Sequence, residues 1–278
     1  MQVGQVTAVA WPAQMPLALA LAEAADRPYA WPGLGTRDPG PIRLIIVPDQ
    51  ARMRELSGGR APSWGAGIAL PGSRTIMIRA DARDPAQTLR HELAHLALRR
   101  AIRSRTPLWF DEGYASFAAG EWDRLDALAL NLAVVRGTVP DLSELGGALR
   151  GRAPAAEASY ALAMSAVLEL ARRNPTGTLE PLIDLLTAGV PFDEALQRTT
   201  GLNPGQFAVG WRDGIRRRYG ILTWLAAGGL WAVVALSVLG AAWLRRRADR
   251  PRRQALDQGW VIVDEPTDDE LDRSREGE

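Results

Sequence analysis

The chain has two histidines, and both stand in the segment His91-Glu92-Leu93-Ala94-His95. That pair constrains the local fold more than any other feature. Residues four apart differ by about 40° around a helix axis, so on a helix the two imidazoles project side by side from adjacent turns and can grip one cation. The preceding Asp84-Pro85-Ala86-Gln87 is a helix start, with an N-cap Asp, Pro at the first helical position and Gln at the third. The spacing therefore predicts a helix over about 85–102. Glu92 lies about 100° round from His91 and about 60° from His95, where a carboxylate can reach water at a metal without taking a coordination position. The competing reading, two hydrogen-bonded core histidines with Glu92 as their partner, has no need of the paired spacing.

There is no cysteine, so disulfides, thiolate zinc sites and a Cys nucleophile are excluded and any metal must be held by His and carboxylates. A catalytic zinc needs a third protein ligand and an open fourth position. The candidate segment is Trp109-Phe110-Asp111-Glu112-Gly113-Tyr114-Ala115, where Thr106-Pro107 signals a new helix that can double back across the first. Spacing leaves both Glu112 and Asp111 open as the third ligand.

These residues resemble the gluzincin metallopeptidases, the thermolysin-like and membrane-alanyl-aminopeptidase-like clan, in which the Glu before Gly in an aromatic-rich segment is the third zinc ligand. The resemblance implies Glu112, and with it one Zn²⁺ per chain. Residues from about 40 to 218 are more closely similar to small bacterial peptidase-MA-like domains, which share a Trp-Gly-Ala-Gly-like hairpin (Trp64 to Gly67 here), the zinc helix, a Glu-Gly helix and several short C-terminal helices. By the same resemblance Glu92 is the catalytic base, Ser116 hydrogen-bonds the first histidine, and Tyr160 donates to a developing oxyanion, with Tyr114 as its rival. The strand Thr75 to Arg79 is then the edge that pairs with extended substrate. The exopeptidase motif of glycines and acids is absent, since Gly65-Ala66-Gly67-Ile68 carries no acid.

Around the motif, strand signals come first and helical ones follow. Ile42 to Val47 reads as a buried strand ended by Pro48, and Gly67 to Leu70 with Thr75 to Arg79 as a hairpin across Pro71-Gly72-Ser73. Helical patterns follow at about 85–102, 107–120, 121–135, 154–173, 177–188, 191–200 and 204–218. This order argues for an α+β domain, a small thermolysin-like catalytic domain with a short mixed sheet over residues 1–218, rather than a doubly wound sheet.

Ile221 to Leu244 is uncharged and flanked by Arg216 to Arg218 and Arg245 to Arg247. Its length predicts a single transmembrane helix, about 36 Å against roughly 30 Å of hydrocarbon, with Trp224 and Trp243 near its ends. The positive-inside rule then puts the charged tail, 245–278, in the cytoplasm as a disordered segment and residues 1–218 outside. No signal peptide is visible at the N-terminus: the first basic residue is Arg27, and Pro12 and Pro16 interrupt the apolar stretch. The net charge is +1, so no global field favours nucleic acid.

The expectation drawn from all this is a membrane-anchored zinc metallopeptidase acting on a peptide or protein substrate. The alternative is a non-catalytic membrane-tethered binding or scaffold module on a peptidase fold. Retention of an acid beside a full ligand set favours the enzyme.

Overall fold

Isoleucine, leucine and valine on both faces of Ile42–Val47 require cover on both sides, and the computed structural model supplies it. The structure describes residues 1–62, 65–121, 130, 131, 133, 134, 137, 139–150, 153–219 and 229–258. In chain order these begin β1 (Gln2–Val3), β2 (Val6–Ala10), α1 (Met15–Ala25), β3 (Tyr29–Trp31), β4 (Gly35–Arg37), β5 (Ile42–Val47), α2 (Gln50–Leu56), β6 (Gly67–Leu70) and β7 (Thr75–Arg79). There follow α3 (Pro85–Ala101), α4 (Leu108–Ala119), α5 (Leu142–Leu149), α6 (Ala153–Arg173), α7 (Glu180–Thr187), α8 (Phe192–Thr200), α9 (Pro204–Arg218) and α10 (Leu230–Gln258). The chain falls into two compact units, Met1–Thr223 and Trp224–Glu278.

The first unit is mixed α/β. Its five-stranded sheet has the order β1-β2-β5-β7-β6, with β2, β5 and β7 parallel and the outer strands antiparallel to their neighbours; β3 and β4 form a separate ribbon. Register decides which side chain goes to which face. Leu44 pairs with Ile76 and Ile46 with Ile78, and these four join the main core with Leu21 and Ala22 of α1 and Leu89 and Leu93 of α3. Val47, one residue out of phase, turns to the opposite face and packs with Met53 of α2, Ile45 and Ile68. The core continues into the helical part, where Trp109 stacks on Phe207 at 6.2 Å and meets Phe192 edge-on at 5.7 Å.

The order of strands before helices does not hold as read. Both α1 and α2 lie between strands of the one sheet. Pro16 concealed α1 because proline reads as an interruption, yet here it sits in the helix's first turn, where no intrahelical N–H bond is due. The strand expected at the sheet edge, Thr75–Arg79, is interior, flanked by β5 and β7's hairpin partner; the edge is β6. Trp64 and most of the helix expected over 121–135 lie outside the described residues.

In the second unit the predicted transmembrane helix is overturned. Among the described residues no helix is long and apolar enough to cross a membrane. Residues 221–228 of the uncharged run lie outside the described residues, and the part inside α10, Leu230 to Leu244, spans about 22 Å at 1.5 Å per residue. The helix then continues through Arg245, Arg246, Arg247, Asp249 and Arg250, where each charge opposes burial in hydrocarbon. The single-pass localisation, and the inside-out orientation drawn from its flanks, fall with that helix. Residues 259–278 of the predicted tail lie outside the described residues.

Candidate metal centre

Helix α3 begins as its sequence dictates. The Asp84 carboxylate accepts from the Gln87 N–H at 2.9 Å, and Pro85 occupies the first position. Helix α4 starts after Pro107 and runs back along α3, so that contacts climb one helix as they descend the other. Gln87 donates to the Gly120 carbonyl, Arg90 to Ala118 at 2.8 Å, and Arg99 to Asp111 Oδ2 at 2.9 Å. Between these ties lie the histidines.

His91 Nε2 and His95 Nε2 are 3.2 Å apart, and Glu112 Oε2 is 3.5 Å from each. These three are the His/Cys/Asp/Glu cluster among the described residues whose donor atoms converge as a metal would require. Donors held about 2.0–2.1 Å from one tetrahedral ion stand about 3.3–3.4 Å from each other, so the triangle has the dimensions of a zinc ligand set. Two imidazoles and a carboxylate are also the donor chemistry zinc accepts. Asp111, the competing ligand, is turned away: its buried carboxylate accepts from Thr106 Oγ1 and from Arg99. Adjacent positions on a helix point about 100° apart, so one acid faces the histidines and its neighbour cannot.

The electrostatics favour a cation. Burial opposes a charge on His91, yet Glu121, Glu112 and Glu92 outweigh it and raise its pKa well above the ordinary value. Burial likewise opposes ionisation of Glu112, and His95 and His91 overcome it, holding the carboxyl far below the usual range. Glu92 is different: 7% exposed, it is raised by burial before any other cause. Its carboxylate accepts the backbone N–H of Ala69 on β6. The approach is close enough that a Cβ at Gly67 would fall 2.8 Å from Glu92 Oε1.

The partner of the first histidine is one the sequence reading missed. His91 Nδ1 lies 2.9 Å from Glu121 Oε1 and, against the cost of burial, holds that carboxyl ionised, while the Ser116 hydroxyl, expected in that role, is buried and makes no hydrogen bond to His91. Glu121 reaches back because α4 ends in a Schellman turn: Gly120 adopts φ 72°, its N–H bonds the Phe117 carbonyl, and the Glu121 N–H bonds the Ser116 carbonyl at 3.1 Å. The signal in the sequence was Ala119-Gly120-Glu121 at the helix end, which marks a cap without saying where the next side chain goes. A carboxylate on the far nitrogen fixes the ring and its tautomer and raises ligand basicity. Glu121→Gln should therefore weaken zinc binding by about 10- to 100-fold, read by competition against a chromophoric chelator. A change below threefold would remove Glu121 from this role.

All of this opens on a cleft of about 500 Å³ lined by Gly67 to Ala69, His91, Glu92, His95, Glu112 and Tyr160. Tyr160 of α6 faces His91, ring centroids 6.1 Å apart, and its hydroxyl bonds Glu112. Burial, then Glu112, push its pKa well above the usual phenol range, so it stays a donor. Tyr114, its rival, is fully buried and donates to the Pro32 carbonyl at 3.0 Å, away from the cleft.

Fold and site together define a class: an α/β domain whose His-Glu-x-x-His helix meets a glutamate of the next helix below a sheet edge. The sequence model of the peptidase MA superfamily matches residues 33–217, and the chain belongs to that superfamily. No curated protein matches the chain.

Proposed function

We propose that this chain is a zinc metallopeptidase of the gluzincin type, hydrolysing peptide bonds of a peptide or protein substrate. The observation that carries the reading is the triangle of His91, His95 and Glu112 with 3.2–3.5 Å edges, in a cleft that also holds an acid outside the ligand set, Glu92. When bound, zinc supplies Lewis-acid polarisation of a carbonyl and lowers the pKa of water.

The remaining chemistry belongs to the chain's own side chains. Glu92, desolvated and raised above its ordinary value by burial, takes a proton from the attacking water at its carboxylate and passes it to the leaving amine. Tyr160, held protonated, donates a hydrogen bond from its hydroxyl to the oxyanion that develops on the carbonyl. Strand β6 orients the substrate. The Arg79 N–H bonds the Ala66 carbonyl, so alternate backbone groups of the strand face β7; those of Gly67 and Ala69 face the open edge beside Glu92. An extended peptide added there gains main-chain hydrogen bonds and runs past the three ligands.

The test needs no guess about substrate. The full chain should bind about one zinc, removable by chelation, and Glu112→Ala should lose it while remaining folded. Zinc-restored protein should cleave an unbiased peptide library and chelated protein should not. A folded, metal-replete chain without zinc would refute the reading.

A further inference from the structure

A second cavity, of about 530 Å³, is lined by none of the three ligands, although it shares Arg99 with the metal cleft. Its volume is that of an ordinary small-molecule site. The floor is apolar, built from Leu93, Leu96 and Ala97 of α3 and closed by Trp31, which stacks on Tyr29 with ring centroids 5.1 Å apart. The rim is cationic. Arg37 comes from β4, Arg74 from the turn between β6 and β7, and Arg99 and Arg100 from the last turn of α3.

Three of these four guanidiniums, those of Arg37, Arg74 and Arg100, carry no ion pair among the described residues, although Arg37 donates to the Leu34 carbonyl at 3.0 Å and Arg100 to the Pro39 carbonyl at 3.4 Å. Arg99 is paired with Asp111. The one acid on the rim, Asp38, is engaged by the Gly40 N–H at 2.8 Å and by Gln5. Complementing the C-terminal end of a helix dipole accounts for Arg99 and Arg100; it does not account for Arg37 or Arg74, which arrive from other elements. Arg74 is more telling still. Its φ of 48° makes it the single non-glycine residue with positive φ among the described residues, so a long cation occupies a backbone position that favours glycine. Strain of that kind gathers at ligand-binding sites.

We propose that this cavity binds a small amphipathic anion, a carboxylate or phosphate head carried on a flat apolar body. The body lies on the Leu93, Leu96 and Trp31 floor and the head meets Arg74, Arg37 and Arg100. Guanidinium forks match both headgroups. This site stands whatever the metal centre does.

Isothermal titration of the full chain tests it with three probes of one shape: 1-naphthoate, 1-naphthyl phosphate and the neutral 1-naphthamide. One anion should bind per chain, unchanged by prior chelation, so that binding at zinc is excluded, and the amide should bind about tenfold more weakly or worse. Which of the two anions binds tighter identifies the headgroup. Arg74→Gly keeps the backbone comfortable at φ 48°, so its denaturation midpoint should be equal or higher while affinity falls about tenfold; Arg100→Ala should add to the loss. No saturable binding of either anion, equal binding of the amide, or affinity unaltered in both arginine variants would overturn the proposal.

Discussion

Glu92→Gln should lower peptide hydrolysis by about 10²- to 10⁴-fold, the range that a positioned general base contributes, while zinc content stays at the wild-type value. Both halves follow from the geometry. Glu92 is outside the converging triangle, so its charge is not needed to hold the ion. Gln has nearly the same shape, and its amide oxygen still accepts the Ala69 N–H that Glu92 now receives. What the variant loses is a basic carboxylate, in a place where burial has already raised its proton affinity. Because a buried carboxylate is replaced by a neutral amide, the thermal midpoint should be equal or higher. The comparison is therefore between two folded, metal-loaded proteins. Residual turnover above about a tenth of wild type would mean that another group takes the proton, and the mechanism given to Glu92 would be wrong.

The helix that carries His91, Glu92 and His95 was legible because its signals are local: an N-cap, a proline and an i, i+4 pair all lie within the same few turns. For the third position of the triangle, spacing left Asp111 and Glu112 open, since they are neighbours and one rotation of α4 chooses between them; the resemblance pointed to Glu112. In the structure Thr106 and Arg99 hold Asp111 on the other side, and Glu112 is the acid that faces the histidines. Glu121 was illegible for a different reason. It lies thirty positions from His91 and reaches it through a left-handed glycine turn, and no periodicity encodes that return. The hairpin of β6 and β7 was read correctly, but which strand forms the edge depends on β5 pairing with β7, a contact between residues some thirty apart. The uncharged run after Tyr219 misled because composition fixes apolarity and not helix boundaries; the helix actually present mixes fifteen residues of that run with an arginine-rich continuation.

Gly113→Ala should destabilise the first unit by about 2–3 kcal/mol, against the direction that helix propensity alone predicts. Ala is favoured over Gly inside a helix by about 1 kcal/mol, and Gly113 sits inside α4. Space decides the sign. A Cβ at Gly113 would lie 2.4 Å from the Ala163 carbonyl oxygen, 2.6 Å from its carbon and 2.9 Å from Val167 Cγ2. Two of those three atoms are backbone of α6, so no rotamer change relieves the clash and the two helices must separate. Their separation also sets the site: Gly113 follows Glu112, and Ala163 lies one turn beyond Tyr160 on α6. Pushing α6 away moves the Tyr160 hydroxyl off Glu112, so the folded fraction should keep zinc yet turn over substrate more slowly. Urea denaturation measures the first effect, and turnover per bound zinc the second. A midpoint raised by the amount that propensity predicts would show that α4 and α6 are not in contact at Gly113, and with it that this crossing does not place Tyr160.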